Sequence, residues 1–211
     1  FISLLAIVIM PALSLVIGTD LTELVFAICF SGIVVAGFVW TAAENKRQRY
    51  IGAPLGIIAF ISLWARTGMA ATDRGLYLFF TIAALAFFNF LAYTLLRTII
   101  RSGEVNVGII FGSIGGYLII GILGGLWMNL LDLIQPYSFD AEVAHLHNYD
   151  YFYFSFVAMT TLGFGDIIPQ TPPAKSIVIL LTLLGQLYLT ILVALLVGKF
   201  LTRQDEPNSS D

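Results

Sequence analysis

The stretch from Met159 to Asp166, MTTLGFGD, places two threonines and two glycines between long apolar runs and ends in an acid. Glycine frees the backbone to adopt φ values that other residues avoid. The whole chain of 211 residues is 59% hydrophobic and only 11% charged, which leaves too little polar surface to cover a water-soluble globule. The sequence therefore predicts a membrane protein in which this flexible, polar stretch has a specific purpose.

Six apolar runs are candidate transmembrane helices, because ~30 Å of hydrocarbon needs about 20 helical residues. They cover residues 1–17, 22–42, 51–66, 75–98, 106–131 and 175–199. The first run has no basic leader and no small-residue cleavage site, so we expect no signal peptide there. We expect instead that the chain starts inside a longer protein. The predicted fold class is an all-α membrane protein with six transmembrane helices.

The charges predict how the helices are oriented in a cell membrane. If the 44–50 loop is cytoplasmic, seven basic residues lie inside and three outside, as the positive-inside rule requires. The acidic loops then face outward, where they attract cations, and the polar tail at 204–211 is cytoplasmic and disordered. The net charge of -3 argues against a nucleic-acid partner and leaves membrane lipids as the expected surroundings.

Residues 150–161, DYFYFSFVAMTT, fit none of the six helices. They make only about three helical turns, too few to span a bilayer, and glycines follow them. Irregular backbone at membrane depth is tolerated only where it is buried in protein or lines a water-filled path. The segment therefore predicts a re-entrant pore loop, with Asp150 as the helix N-cap. The helix C-terminus would direct its partial negative charge into the membrane, where it stabilises a cation.

The glycines of MTTLGFGD suit a row of ion-coordinating carbonyls. A pore that strips water from a cation must offer rings of oxygen, and consecutive carbonyls point inward only if alternate residues adopt unusual φ values. Gly163 and Gly165 supply that freedom, and Thr161 adds a hydroxyl. We expect the side chains of Leu162 and Phe164 to turn outward and pack against the short helix. A Gly-x-Gly pair that serves only helix packing is the alternative.

Residues 160–166, TTLGFGD, resemble the selectivity filter of tetrameric potassium channels, with phenylalanine in place of the family's more common tyrosine. Residues 153–157, YFSFV, match the family's aromatic pore helix, and the next position departs from it, since threonine is frequent there. The resemblance implies that dehydrated potassium is coordinated by Thr161, Leu162, Gly163, Phe164 and Gly165. The residues that it implies as filter support are Thr160, Asp166, Phe154 and Ala158. It also implies a homotetramer, because one loop supplies a quarter of each ring.

The last apolar run is expected to line the inner pore. Thr171 and Pro172 form an N-cap and first-turn pair. Gly185 resembles the gating hinge of prokaryotic potassium channels. The polar residues Thr182, Gln186 and Thr190 follow one helix face at i, i+4 and i+8. They suit a wet cavity; the alternative is that they bond to a neighbouring helix or to their own backbone.

The resemblance divides the chain into a voltage-sensor-like domain at 1–104, a pore domain at 105–203 and the tail at 204–211. A voltage sensor needs several arginines within its moving helix. The fourth run has none before Arg97 and Arg101, at its inner end. We therefore expect weak or no voltage dependence. Any cytoplasmic regulator is expected to lie outside this chain or to be absent.

The predicted function is passive, potassium-selective conduction, with no enzyme activity and no cofactor other than the permeant ion. The alternatives are a non-selective cation channel, a non-conducting regulatory subunit, or a transporter, although only one re-entrant loop is visible. His145 and His147 are candidates for metal binding or pH sensing. Their spacing without cysteine is weak for zinc, and a solvent-exposed role without ligands is the simpler interpretation.

Overall fold

The computed structural model describes residues 19–44, 46–68, 74–101, 107–141 and 146–204. These residues form the helices α1 (Thr19–Glu44), α2 (Lys46–Gly68), α3 (Arg74–Arg101), α4 (Val107–Ile134), α5 (Asn148–Met159) and α6 (Pro172–Gln204). The helical character of the last five predicted runs is confirmed, as is that of the short helix. The first run, at 1–17, lies outside the described residues.

Three of the described helices are long and apolar enough to cross a membrane by length and composition. They are Arg74–Arg101, Gly108–Ile134 and Pro172–Leu195. Among the residues whose side chains are described, α1 and α2 also contain apolar stretches, at Leu24–Val39 and Tyr50–Ile61. A membrane protein built of helices is thus supported, while six spanning helices remain a prediction.

The helices pack in chain order from α1 to α4, and α4 contacts both α5 and α6. One hydrophobic cluster runs through α1, α3 and α4 to the short helix α5, where Phe152 joins it. The ring of Phe152 lies 5.2 Å from that of Phe26 and 5.9 Å from that of Phe30. The two regions predicted as separate domains therefore share a core beside the short helix.

A small sheet, which the sequence did not predict, joins the loop after α4 to the residues after MTTLGFGD. The strands β1 (Phe139–Ala141) and β2 (Ile167–Pro169) pair antiparallel, with Phe139 opposite Pro169 and Ala141 opposite Ile167. The amide of Gln170 extends the pairing by donating to the Ser138 carbonyl at 2.8 Å. The sheet fixes the position at which the chain leaves the candidate filter.

Candidate functional site

The short helix α5 is seated against glycines of α4. A Cβ added to Gly125 would lie 2.9 Å from the Cα atom of Phe152, and one added to Gly121 would collide with the Phe156 ring. At Gly124 the neighbour is the hydroxyl of Ser155, which donates to the Gly121 carbonyl at 2.6 Å. These glycines serve helix packing, because only a residue without a side chain permits so close an approach.

The first turn of α5 differs from the prediction in one detail. The N-cap is His147, and Asp150 is the third residue of the helix. The Asp150 carboxylate accepts a hydrogen bond from the His147 amide at 2.7 Å. This is the bond that the third helical residue makes to the N-cap amide in a capping box. Burial raises the pKa of Asp150, and the hydrogen bond and charge of His147 act against that rise. The prediction of Asp150 as the N-cap was wrong by three positions.

Of the two histidines, only His147 lies within the described residues. The ring of His147 stacks on that of Tyr149 at 5.2 Å, and its Nδ1 atom lies 3.6 Å from the Asp150 carboxylate. His145 lies outside the described residues. Within the described ranges no cluster of three histidine, cysteine, aspartate or glutamate side chains could hold a metal ion. His147 thus has a local role at the start of α5.

The C-terminus of α5 closes in a Schellman motif, which carries the chain into MTTLGFGD. The amide of Leu162 donates to the Val157 carbonyl and that of Thr161 to the Ala158 carbonyl, each at 3.0 Å. This motif requires a left-handed residue just after the helix, which is usually glycine. Here it is Thr161, with φ 62°. A β-branched residue in this conformation is strained, so the helix end holds Thr161 in a geometry that it would not adopt alone.

The left-handed conformation then recurs at every second residue. Gly163 has φ 57° and Gly165 has φ 80°, whereas Leu162 and Phe164 have no positive φ. The conformational freedom predicted for the two glycines is confirmed. The sequence did not predict that Thr161 begins the alternation one step earlier. An alternation of this kind turns successive carbonyls toward the same side of the chain.

The side chains between these residues are not packed as predicted. Leu162 is 61% exposed and Phe164 is 67% exposed. Within one chain they therefore do not pack against the short helix. The whole run from Thr160 to Gly165 is exposed, although the helix that precedes it is largely buried. The expected packing of Leu162 and Phe164 was wrong for the single chain.

The other predicted support residues lie around the end of α5. Phe154 and Ala158 are buried, and the ring of Phe154 lies 5.8 Å from that of Phe139 on β1. The hydroxyl of Thr160 donates back to the Phe156 carbonyl at 2.6 Å. These residues hold the helix end, and Ala158 also supplies a carbonyl to the cap.

Asp166 has a partner that the sequence did not reveal. The hydroxyl of Tyr153 donates to its Oδ2 atom at 2.6 Å, and its buried Oδ1 atom has no hydrogen-bond partner among the described residues. Burial, the hydrogen bond to Asp166 and the nearby carboxylates raise the pKa of Tyr153 to about 12, so the hydroxyl remains a donor at neutral pH. Tyr153 was predicted only as part of the aromatic pattern. The sequence feature that could have indicated this hydrogen bond is that Asp166 follows Tyr153 by thirteen residues.

The polar side chains Thr182, Gln186 and Thr190 on α6 donate hydrogen bonds to backbone carbonyls. Thr182 donates to the Ala158 carbonyl at 3.2 Å and to the Val178 carbonyl at 2.9 Å. Gln186 donates to the Met159 carbonyl at 3.3 Å, and Thr190 donates to the Gln186 carbonyl at 2.8 Å. These contacts favour the alternative to a cavity lining. They also neutralise part of the negative end of α5, which was predicted to act on a cation.

Gly185 lies where α6 crosses the end of α5. A Cβ there would be 3.0 Å from the Met159 carbonyl oxygen and would collide with the Met159 side chain. Helix α6 runs without a break through this position. The observed role of Gly185 is close packing, and its role as a hinge remains a prediction. The N-terminal pair is confirmed, since Thr171 accepts the Ala174 amide at 3.4 Å and the helix begins at Pro172.

Comparison with known proteins finds that the part of the chain around this site is similar to a channel family. Residues 109–203, somewhat less than half of the chain, match the family described as "Ion channel" (Ion_trans_2). A search of curated proteins finds no match, and a search of solved structures finds none either. The matched residues include α5, MTTLGFGD and most of α4 and α6. The similarity supports an ion channel, and the family is one of channels and not of enzymes.

Proposed function

We propose that the protein is a potassium-selective channel whose filter is the backbone of residues 161–165. The observation that carries this proposal is the alternating positive φ at Thr161, Gly163 and Gly165 in an exposed row. Carbonyls arranged in this way can replace the hydration shell of a cation, together with the Thr161 hydroxyl. The resemblance of TTLGFGD to potassium filters supports potassium as that ion.

The proposed assembly is a homotetramer. A single loop supplies one side of a coordinating ring, so four copies around one axis are the simplest closure. The exposure of Leu162 and Phe164 supports this arrangement, because side chains of this size are ordinarily buried. On α6 the exposed apolar residues Leu180, Leu183, Leu184 and Leu187 offer further surface for neighbouring copies or lipid.

In this proposal the chain lies in a cell membrane with the filter mouth and Asp166 on the outer side. The voltage-sensor-like domain at 1–104 does not sense voltage strongly in this proposal. Its helix α3 carries basic residues only toward its ends, at Arg74, Arg97 and Arg101. Opening and closing then involve α6, the filter, or a regulator outside this chain. Lipids surround the exposed helix faces, and potassium is the only bound ion required.

A non-selective cation channel is the second candidate. It is favoured by the composition around the filter, where Phe164 and Ala158 contribute no side-chain hydrogen bonds. One oxygen of Asp166 also has no partner. A filter with fewer fixed contacts discriminates less between ions of different size.

Reconstitution into liposomes tests the function. Wild-type protein and the variant Gly163→Ala are loaded separately into vesicles with a potassium gradient or a sodium gradient, and flux is followed with a membrane-potential dye. We expect flux driven by potassium, little driven by sodium, and none from the variant. Equal flux of both ions would support the second candidate, and flux unaffected by Gly163→Ala would contradict the filter assignment.

A further inference from the structure

A small crevice lies beside the start of the short helix α5, where the five helices α1 to α5 meet. Its wall is mostly apolar and aromatic, with Phe26 and Phe30 from α1, Phe80 from α3 and Phe152 from α5. Its volume is about 30 Å³, which is enough for one water molecule and too small for an organic ligand. None of the residues 161–165 lines the crevice, so an occupant there is separate from the proposed ion coordination.

One buried polar side chain in this wall has unused hydrogen-bonding capacity. Asn129 is only 7% exposed, and its Oδ1 atom has no hydrogen-bond partner among the described residues. Its Nδ2 atom donates to the Oδ1 atom of Asn148 across 3.4 Å, and the hydroxyl of Tyr77 donates to that same oxygen. A reversed Asn129 amide would set two acceptors against each other, so the unpaired atom is the oxygen. A buried acceptor without a donor is costly, and a donor in the crevice removes that cost.

A second polar side chain of the wall can accept from the same donor. Thr81 on α3 is 1% exposed and lines the crevice. Its hydroxyl donates to the Tyr77 carbonyl at 3.1 Å, and its oxygen keeps lone pairs that can accept. A buried water molecule ordinarily makes about two to four hydrogen bonds. Because water has two protons to donate, one molecule can serve Asn129 and Thr81 together.

We propose that the crevice binds one ordered water molecule, which donates to the Oδ1 atom of Asn129 and to the hydroxyl oxygen of Thr81. None of the residues that line the crevice is charged, so a metal ion would be buried there without a counter-charge, which is unfavourable. The water joins α3 to α4 beside Asn148, the first residue of α5. It therefore helps to fix where the short helix begins. The inference does not depend on ion selectivity.

The test is an experimental structure of the purified protein in lipid nanodiscs, at a resolution where ordered water is visible at other sites. We expect one spherical density peak in the crevice, within about 3.2 Å of the Asn129 Oδ1 atom and of the Thr81 hydroxyl oxygen. An empty crevice in such a map would overturn the proposal. So would elongated density from a lipid chain, or a peak out of hydrogen-bonding reach of Asn129.

A variant and a matched control test whether the amide holds the water. Asn129→Leu removes the amide at similar volume, and we expect the peak to be lost while Tyr77 keeps its bond to Asn148. Asn89→Leu makes the same substitution at an exposed position of α3 that does not line the crevice, and the peak should remain. A peak of undiminished height in Asn129→Leu would contradict the proposal. If that variant does not fold, Thr81→Val keeps the side-chain shape and removes one acceptor; the peak should then weaken, and an unchanged peak would contradict the proposed bond to Thr81.

Discussion

Two sets of glycines in this protein use the same residue for opposite physical reasons. Gly163 and Gly165 have positive φ, and a Cβ at either position would meet no atom of the described residues within 4 Å. Gly121, Gly124 and Gly125 lie within α4, and a Cβ there would collide with α5 or α6. The first set is needed for backbone conformation and the second for space. The comparison predicts that the proposed ion coordination and the helix packing can be disturbed separately.

The largest expected effect is that of Gly163→Ala. The added methyl group has room in the single chain, but alanine at this φ costs roughly 1–2 kcal/mol in each copy, and the carbonyl row is displaced. We expect potassium-selective flux to fall to the level of empty liposomes, while the protein still folds and loses no more stability than this strain. Wild-type flux from this variant would show that the positive φ is not required.

The second expected effect is on stability and not on the filter backbone. Gly125→Ala places a methyl group against the backbone of Phe152, so the helix must shift, which we expect to destabilise the protein by about 1–3 kcal/mol. The matched control is Gly112→Ala on the same helix, where no atom lies within 4 Å. Its better helix propensity should leave stability equal or up to about 1 kcal/mol higher. Thermal unfolding in detergent measures both, and equal shifts would show that Gly125 is not needed to make space for α5.

A smaller effect is expected from Tyr153→Phe. The variant removes the hydroxyl that donates to the Oδ2 atom of Asp166. The end of the proposed filter therefore loses a fixed contact. We expect current to decay faster during sustained opening, with normal folding. Because the pKa of Tyr153 is raised to about 12, the hydroxyl is protonated below that pH and donates. The difference between variant and wild type should therefore be the same at pH 6 and pH 9.

The control for this variant is Tyr137→Phe, at a tyrosine that is 87% exposed in the loop after α4. It removes a hydroxyl from a tyrosine that makes no hydrogen bond to Asp166 in the described structure. Decay that is as fast in the control as in Tyr153→Phe would mean that the bond to Asp166 does not stabilise the filter.

The smallest effect is expected from Phe164→Tyr. The carbonyls of the proposed filter remain, and the new hydroxyl adds a hydrogen-bonding group around it, as in the potassium filters that TTLGFGD resembles. We expect current to decay more slowly during sustained opening, with unchanged ion preference. Recordings from reconstituted bilayers measure the decay, and an unaltered rate would place the closing step elsewhere, for example in α6.

Much of the fold followed from sequence because it depends on local rules. Apolar runs of the right length predicted the helices, a short aromatic run predicted α5, and Thr171 with Pro172 predicted the start of α6. The glycines at 163 and 165 predicted positive φ because few other residues tolerate it. These features depend on residues that are close together in the sequence, so they can be predicted from the sequence alone.

The parts that the sequence did not reveal depend on contacts between distant residues. The bond from Tyr153 to Asp166 and the sheet between β1 and β2 exist only once the loop has folded back. Thr182 and Gln186 have the pattern of a wet helix face, but the end of α5 lies within reach and takes their hydrogen bonds. Thr161 adopts its positive φ because the Schellman motif demands it, against the preference of a β-branched residue.

The central claim is that residues 161–165 select potassium. The most direct measurement is the reversal potential of purified, reconstituted protein with potassium on one side of the bilayer and an equal concentration of sodium on the other. A selective filter predicts a reversal potential far from zero, with the sign of the potassium gradient. A reversal potential near zero would contradict the claim and identify a channel that does not distinguish the two ions.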